Sequence, residues 1–122
     1  MTSESTLFCQ VNTLATGSAD TAKKHVPVIS IPEVVKVGQP FTVTIKVGEV
    51  PHVMENGHFI QFVDLYCGHI YISRVDFTAE LSRPEVSLSV VLHHQGKRPL
   101  RVFSRCNLHG IWEATKEVNV TK

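Results

Sequence analysis

Along "FTVTIKV", Phe41, Val43, Ile45 and Val47 alternate with Thr42, Thr44 and Lys46, the period of two expected for a strand with one buried face. Val86, Leu88, Val90 and Leu92 repeat the alternation against Ser87, Ser89, Val91 and His93. Similar short runs at 33–37, 59–66, 70–79, 100–105 and 111–120, separated by turn residues, bring the expectation to about seven strands and no helix. The last run places Trp112, Ala114, Val118 and Val120 on one side. This spacing predicts an all-β chain, an immunoglobulin-like seven-stranded antiparallel β-sandwich, although a small barrel would read similarly. Residues 1–20 show no sustained period and are expected to form an N-terminal arm, partly ordered at best, ahead of a sandwich domain over 21–122.

Composition narrows the function. The 122 residues suit one compact domain, and 12 basic against 11 acidic side chains leave no sustained basic face for nucleic acid. No run is long and apolar enough for a membrane span, and the first residues lack the pattern of a secretion signal, so a cytoplasmic address is expected. Cys9, Cys67 and Cys106 are widely spaced and odd in number, which argues against a disulfide framework. Without a second nearby cysteine, Cys9 cannot anchor a small iron or zinc module. Seven histidines stand out more, because imidazole is the commonest metal ligand.

Five of the candidate ligands fall in three presumed loops. His52 and His58 bracket "PHVMENGH"; on a strand they would lie about 20 Å apart, and on a helix about 120° apart. Only a folded-back loop brings them together, and Pro51, Asn56 and Gly57 are residues that build one. His25, close before Pro27, is expected in extended or turn backbone. Cys106 and His109 in "CNLHG" can converge only if the chain turns between them. His69, His93 and His94 read as solvated turn residues, Cys67 as an inert core or edge thiol, and Trp112 and Phe59 as core residues able to wall a pocket.

Together "KHVP", "VGEVPHVMENGHFI" and "CNLHGIWE" closely resemble the one-iron superoxide reductases, the neelaredoxins, related to the iron domain of desulfoferrodoxin. The likeness runs from about Lys24 to Glu113. It implies a mononuclear iron cycling between Fe2+ and Fe3+, with His25, His52, His58 and His109 as equatorial ligands and Cys106 as the axial one. It also implies reduction of superoxide to hydrogen peroxide, a rubredoxin-like electron donor and a homotetramer. Four imidazoles and a thiolate suit ferrous iron and leave one position open. Backbone N–H groups of the 107–110 turn are expected to donate to the sulfur.

The same resemblance makes Lys24 the catalytic candidate, attracting the anion and organising a proton-supplying water. An ammonium about 7 Å away at an effective dielectric of about 20 contributes on the order of 2 kcal/mol before screening. Two positions depart from the family pattern. Lys23 stands where a glutamate is usual, so the oxidised site is expected to carry solvent, with Glu55 the first substitute carboxylate to check. Val53 stands where proline often follows the histidine, which is expected to loosen the loop. The competing reading is a non-catalytic sandwich holding zinc or iron, or an electron-transfer module without turnover.

Overall fold

The computed structural model describes residues 4–122; Met1–Ser3 of the expected arm lie outside the described residues. The described residues fold as two helices, α1 (Glu4–Phe8) and α2 (Ala19–His25), and nine strands. These are β1 (Val11–Asn12), β2 (Pro27–Ser30), β3 (Val34–Lys36), β4 (Phe41–Val47) and β5 (Ile60–Cys67), then β6 (Ile70–Asp76), β7 (Glu85–Val90), β8 (Gly96–Cys106) and β9 (Gly110–Thr121). One sheet runs β1-β9-β8-β5-β6, with β3 also on β9; the other runs β2-β4-β7.

The alternation in β4 is realised residue for residue, with Phe41, Val43, Ile45 and Val47 buried. They meet Val63, Leu65, Leu100, Val102, Val118 and Val120 of the other sheet in one apolar core. At roughly 25 cal/mol per Å² of apolar surface removed from water, this inter-sheet layer is the main stabilising term. A smaller cluster of Leu7, Ala22, Val26 and Trp112 fastens both helices to β9.

The all-β sandwich is as expected, with three differences in detail. Residues 27–30 form a strand that the sequence pattern does not reveal, because a four-residue run opening on proline resembles a breaker, whereas proline is tolerated as a first strand residue. β1 and β3 pair with β9 in parallel, not antiparallel, and β1 and β2 bring the strands among the described residues to nine. Within residues 4–12, Leu7 and Asn12 are buried, and the Asn12 amide donates to Leu7 O and Ile111 O at 2.9 Å each. Residues 4–12 are therefore held against β9 by one apolar and one polar anchor, neither of which produces a periodic signal.

The expectation of no helix, with His25 in extended backbone, is corrected by α2. Ser18 caps it, its hydroxyl accepting from Thr21 N at 3.1 Å; Asp20 lies in the first turn and Lys23, Lys24 and His25 in the last, matching the helix dipole. Seven residues are too few for a helical period to emerge. The steric effect of Pro27 falls on Val26, which is extended, so the helix runs through His25 and ends there.

Candidate metal centre

Three chain segments converge at one end of the sandwich. The first is the end of α2. The His25 ring is buried, its Nδ1 donating to Thr21 O at 2.7 Å and its face stacked on Trp112 at a centroid distance of 5.0 Å. Ser104 Oγ donates to the His25 carbonyl at 2.9 Å, fixing the backbone as well.

The second segment is the loop from β4 to β5, fused to α2 by close backbone approach. Gly48 N donates to Val26 O at 3.1 Å and Val50 N to Lys23 O at 3.3 Å, capturing carbonyls at the helix end. Gly48 has φ +90°, and a Cβ there would lie 2.3 Å from Val50 O and 2.7 Å from Lys24 O, so only glycine fits. His52 then turns inward, buried, with Nδ1 donating to Val53 O at 2.6 Å. The folded-back loop expected from Asn56 and Gly57 is present: Glu55 and His58 exchange backbone hydrogen bonds of 3.0 Å in both directions.

The third segment is the turn from β8 to β9. Asn107 clamps it to the second: its Oδ1 accepts from Phe59 N at 2.9 Å, and its Nδ2 donates to Gly57 O at 2.9 Å. The Asn107 backbone N–H donates to Phe59 O at 3.2 Å, adding a third bond between this turn and the loop. Trp112 Nε1 donates to His109 O at 3.0 Å from below.

The four imidazoles form a closed ring. Successive centroids stand 4.7 Å apart for His25–His52, 4.9 Å for His52–His58, 5.2 Å for His58–His109 and 4.8 Å for His109–His25. The donor atoms of His25, His58, Cys106 and His109 lie within 4.8 Å of one another, and His52 Nε2 joins them 3.2 Å from His25 Nε2. Cys106 is fully buried, its Sγ 3.5 Å from His109 Nδ1. A surface cleft of about 570 Å³ opens on the imidazoles, with Lys24 and Glu55 in its wall; Cys106 is not part of that wall. The ring thus has a thiol behind it and solvent-accessible space in front.

Burial pulls the pKa of both His25 and His52 from 6.5 to about 4, helped by the neighbouring imidazoles and opposed by the carbonyl each Nδ1 bonds. Both rings are therefore neutral at neutral pH, with Nδ1 carrying the proton and the Nε2 lone pair available. That is the form a metal binds. For two imidazoles bound side by side at about 2.1 Å, the nitrogens would be about 3.0 Å apart, close to the spacing seen. Two nitrogens more and a soft sulfur complete a donor set suited to ferrous iron, while a tetrahedral zinc site would leave one of the five unused.

All five sequence-derived candidates meet here, and Lys24 lines the cleft beside them. Lys23 instead lines a neighbouring cavity with Glu49, away from the imidazoles. His69, His93 and His94 are exposed, and Cys67 is half-buried. Sequence reasoning missed Thr21, Ser104 and the bridging role of Asn107, because each acts on a backbone group whose position depends on the fold; Asn107 reads locally as an ordinary turn residue.

Residues 17–115 match the family model described as desulfoferrodoxin. A protein of Methanocaldococcus jannaschii, provisionally named a superoxide reductase, is 44% identical over 116 residues, covering 93% of this chain and 97% of that one. The superoxide reductase of Pyrococcus furiosus is 34% identical over 108 residues, covering 75% and 85%. Among solved structures, the superoxide reductase (neelaredoxin) of Ignicoccus hospitalis superposes with a TM-score of 0.80 at 33% identity, covering 98% of this chain and all of the other.

Proposed function

Because the chain belongs to the desulfoferrodoxin family, we propose that it reduces superoxide by one electron to hydrogen peroxide at a mononuclear iron held by His25, His52, His58, His109 and Cys106. It is a superoxide reductase, an oxidoreductase whose His/Cys cluster suits mononuclear iron. The observation that carries this reading is the closed ring of four imidazoles with a buried thiol on one face and an open cleft on the other.

Iron held by these five residues would supply the single electron. The chain's own residues do the rest. The imidazoles would hold the metal without cancelling its charge, and Cys106, buried and bound as thiolate, would balance part of it. Trp112, stacked on His25, keeps water from the rear of the ring. Lys24, in the cleft wall, draws the anion in and holds a water that delivers one proton, the second coming from bulk solvent through the open cleft; the lysine's charge already acts on His52. The product is uncharged and leaves by the same opening.

We assign electron supply to a rubredoxin-like donor and assembly to a homotetramer on the family resemblance. A cytoplasmic location is supported by three cysteines that form no disulfide. No helix among the described residues is long and apolar enough to cross a membrane.

The test is anaerobic metal analysis combined with pulse-generated superoxide. The expected result is one iron per chain and superoxide loss matched by peroxide without oxygen release, with Cys106→Ser losing the reactive centre. Stoichiometric zinc in protein prepared with ample iron, together with inert behaviour towards superoxide, would overturn the reading.

A further inference from the structure

Every histidine of the chain belongs to one of two groups. Four form the ring described above, and the other three, His69, His93 and His94, line a second cavity of about 400 Å³ together with Cys67 and Arg98. This cavity lies at the opposite end of the sandwich. β5 begins at Ile60, paired with Cys106, and ends at Cys67, paired with Leu100, roughly 23 Å along the strand.

The two turns carrying these histidines are both tied to the same stretch of β8. In the β5–β6 turn, Gly68 N donates to Pro99 O at 2.9 Å, and Arg101 Nη1 donates to Gly68 O at 3.1 Å. In the β7–β8 connection, Arg98 Nε donates to His94 O at 3.3 Å, and its Nη2 donates to Gln95 O. Cys67, half-buried and packed against the apolar core, also lines the cavity, its backbone paired with Ile70 on one side and Leu100 on the other. Residues more than twenty positions apart are thus presented to one hollow by hydrogen-bonded backbone.

We infer that this cavity is a second metal site, taking a borderline-soft divalent cation of the zinc class through the Cys67 thiolate and the imidazoles of His69, His93 and His94. One sulfur and three nitrogens make a tetrahedral set of the kind zinc prefers. No carboxylate lines the cavity, which excludes a site built for calcium or magnesium. Among the described residues the donors already gathered within 4.8 Å are those of the first centre. Here the exposed imidazoles close by rotation about their side-chain bonds, and binding is correspondingly weaker. Burial raises the Cys67 pKa while Arg98 opposes it, so the thiol gives up one proton to solvent when the cation binds. The inference is independent of the reaction assigned to the first centre.

Cobalt(II) is the probe, added to protein whose first centre is already filled with iron. The expected result is one further equivalent bound, with tetrahedral visible bands and a thiolate-to-cobalt charge-transfer band. Cys67→Ser should abolish the charge-transfer band and weaken binding about tenfold or more, and His93→Ala/His94→Ala should weaken it similarly; both should retain full iron content. His69→Ala, a change at an exposed turn, provides the same readout should Cys67→Ser fold poorly. The inference falls if no cobalt binds beyond the iron, if cobalt gained equals iron lost, or if these variants bind cobalt as the parent does.

Discussion

The Nε2 atoms of His25 and His52 face each other at 3.2 Å, although each ring has committed its Nδ1 proton to a backbone carbonyl. No proton is available between them at neutral pH, so two lone pairs oppose one another inside a buried site. A cation turns that repulsion into two bonds. The metal-free protein should therefore be less stable than the iron-loaded one, by about 2.7 kcal/mol at a free metal concentration of 100 times Kd. Calorimetric melting with and without a chelator checks this, and an unchanged Tm would refute it.

Asn107 holds two metal-bearing turns together through side-chain bonds to Phe59 N and Gly57 O. Asn107→Ala should lower metal affinity by about 10–100-fold, a typical effect for a residue that orients ligands. Asn107→Asp, which keeps the acceptor for Phe59 N, should recover part of the loss. Chelator competition measures both.

Gly48 and Gly57 both have positive φ, +90° and +92°, yet only Gly48 is crowded. Gly57→Ala should cost about 1 kcal/mol, the backbone term alone. Gly48→Ala adds a clash with Val50 O and Lys24 O, and should cost about 3 kcal/mol or more while displacing His52. Urea denaturation of the two variants side by side separates these contributions.

Lys24 is exposed in the wall of the cleft. Lys24→Ala should retain iron but slow superoxide capture by about three- to tenfold at low salt, solvent screening having reduced the Coulombic effect. Its rate should also depend less on ionic strength. Pulse radiolysis across a salt series decides it: equal slopes for variant and parent would remove Lys24 from the capture step.

Leu7 is buried against the cluster that contains Trp112, the ring backing His25. Leu7→Ala should destabilise by about 2–5 kcal/mol, and should expose the chain near residue 13 to limited proteolysis. Stability equal to the parent would mean that residues 4–12 contribute nothing to the fold.

Strand positions were legible wherever alternation persisted for six or more residues, as in β4 and β9, because a pleated chain with one dry face must repeat every two residues. The same logic could not find β1, β2 or α2. These elements are too short to show a period, and they persist through particular bonds: Asn12 to two carbonyls, β2 to β4, and the Ser18 cap. The candidate ligands were legible through residue chemistry and family resemblance. His69, His93 and His94 were read as isolated turn residues, since nothing local to 67–70 or 91–96 says that these turns share a cavity.

The amino-acid order by itself determined which residues are dry, where much of the chain must turn, and that five soft or borderline donors lie in or beside those turns. Those are local properties, set by side-chain transfer energies and backbone sterics over a few residues. Only the tertiary structure decided that α2, the Gly48 loop and the Asn107 turn meet with their donors facing one point, and that the thiol lies behind while the cleft lies in front. Convergence depends on strand register and on hydrogen bonds between residues 48 and 79 positions apart, and such distances become short only when the two sheets close on their shared core.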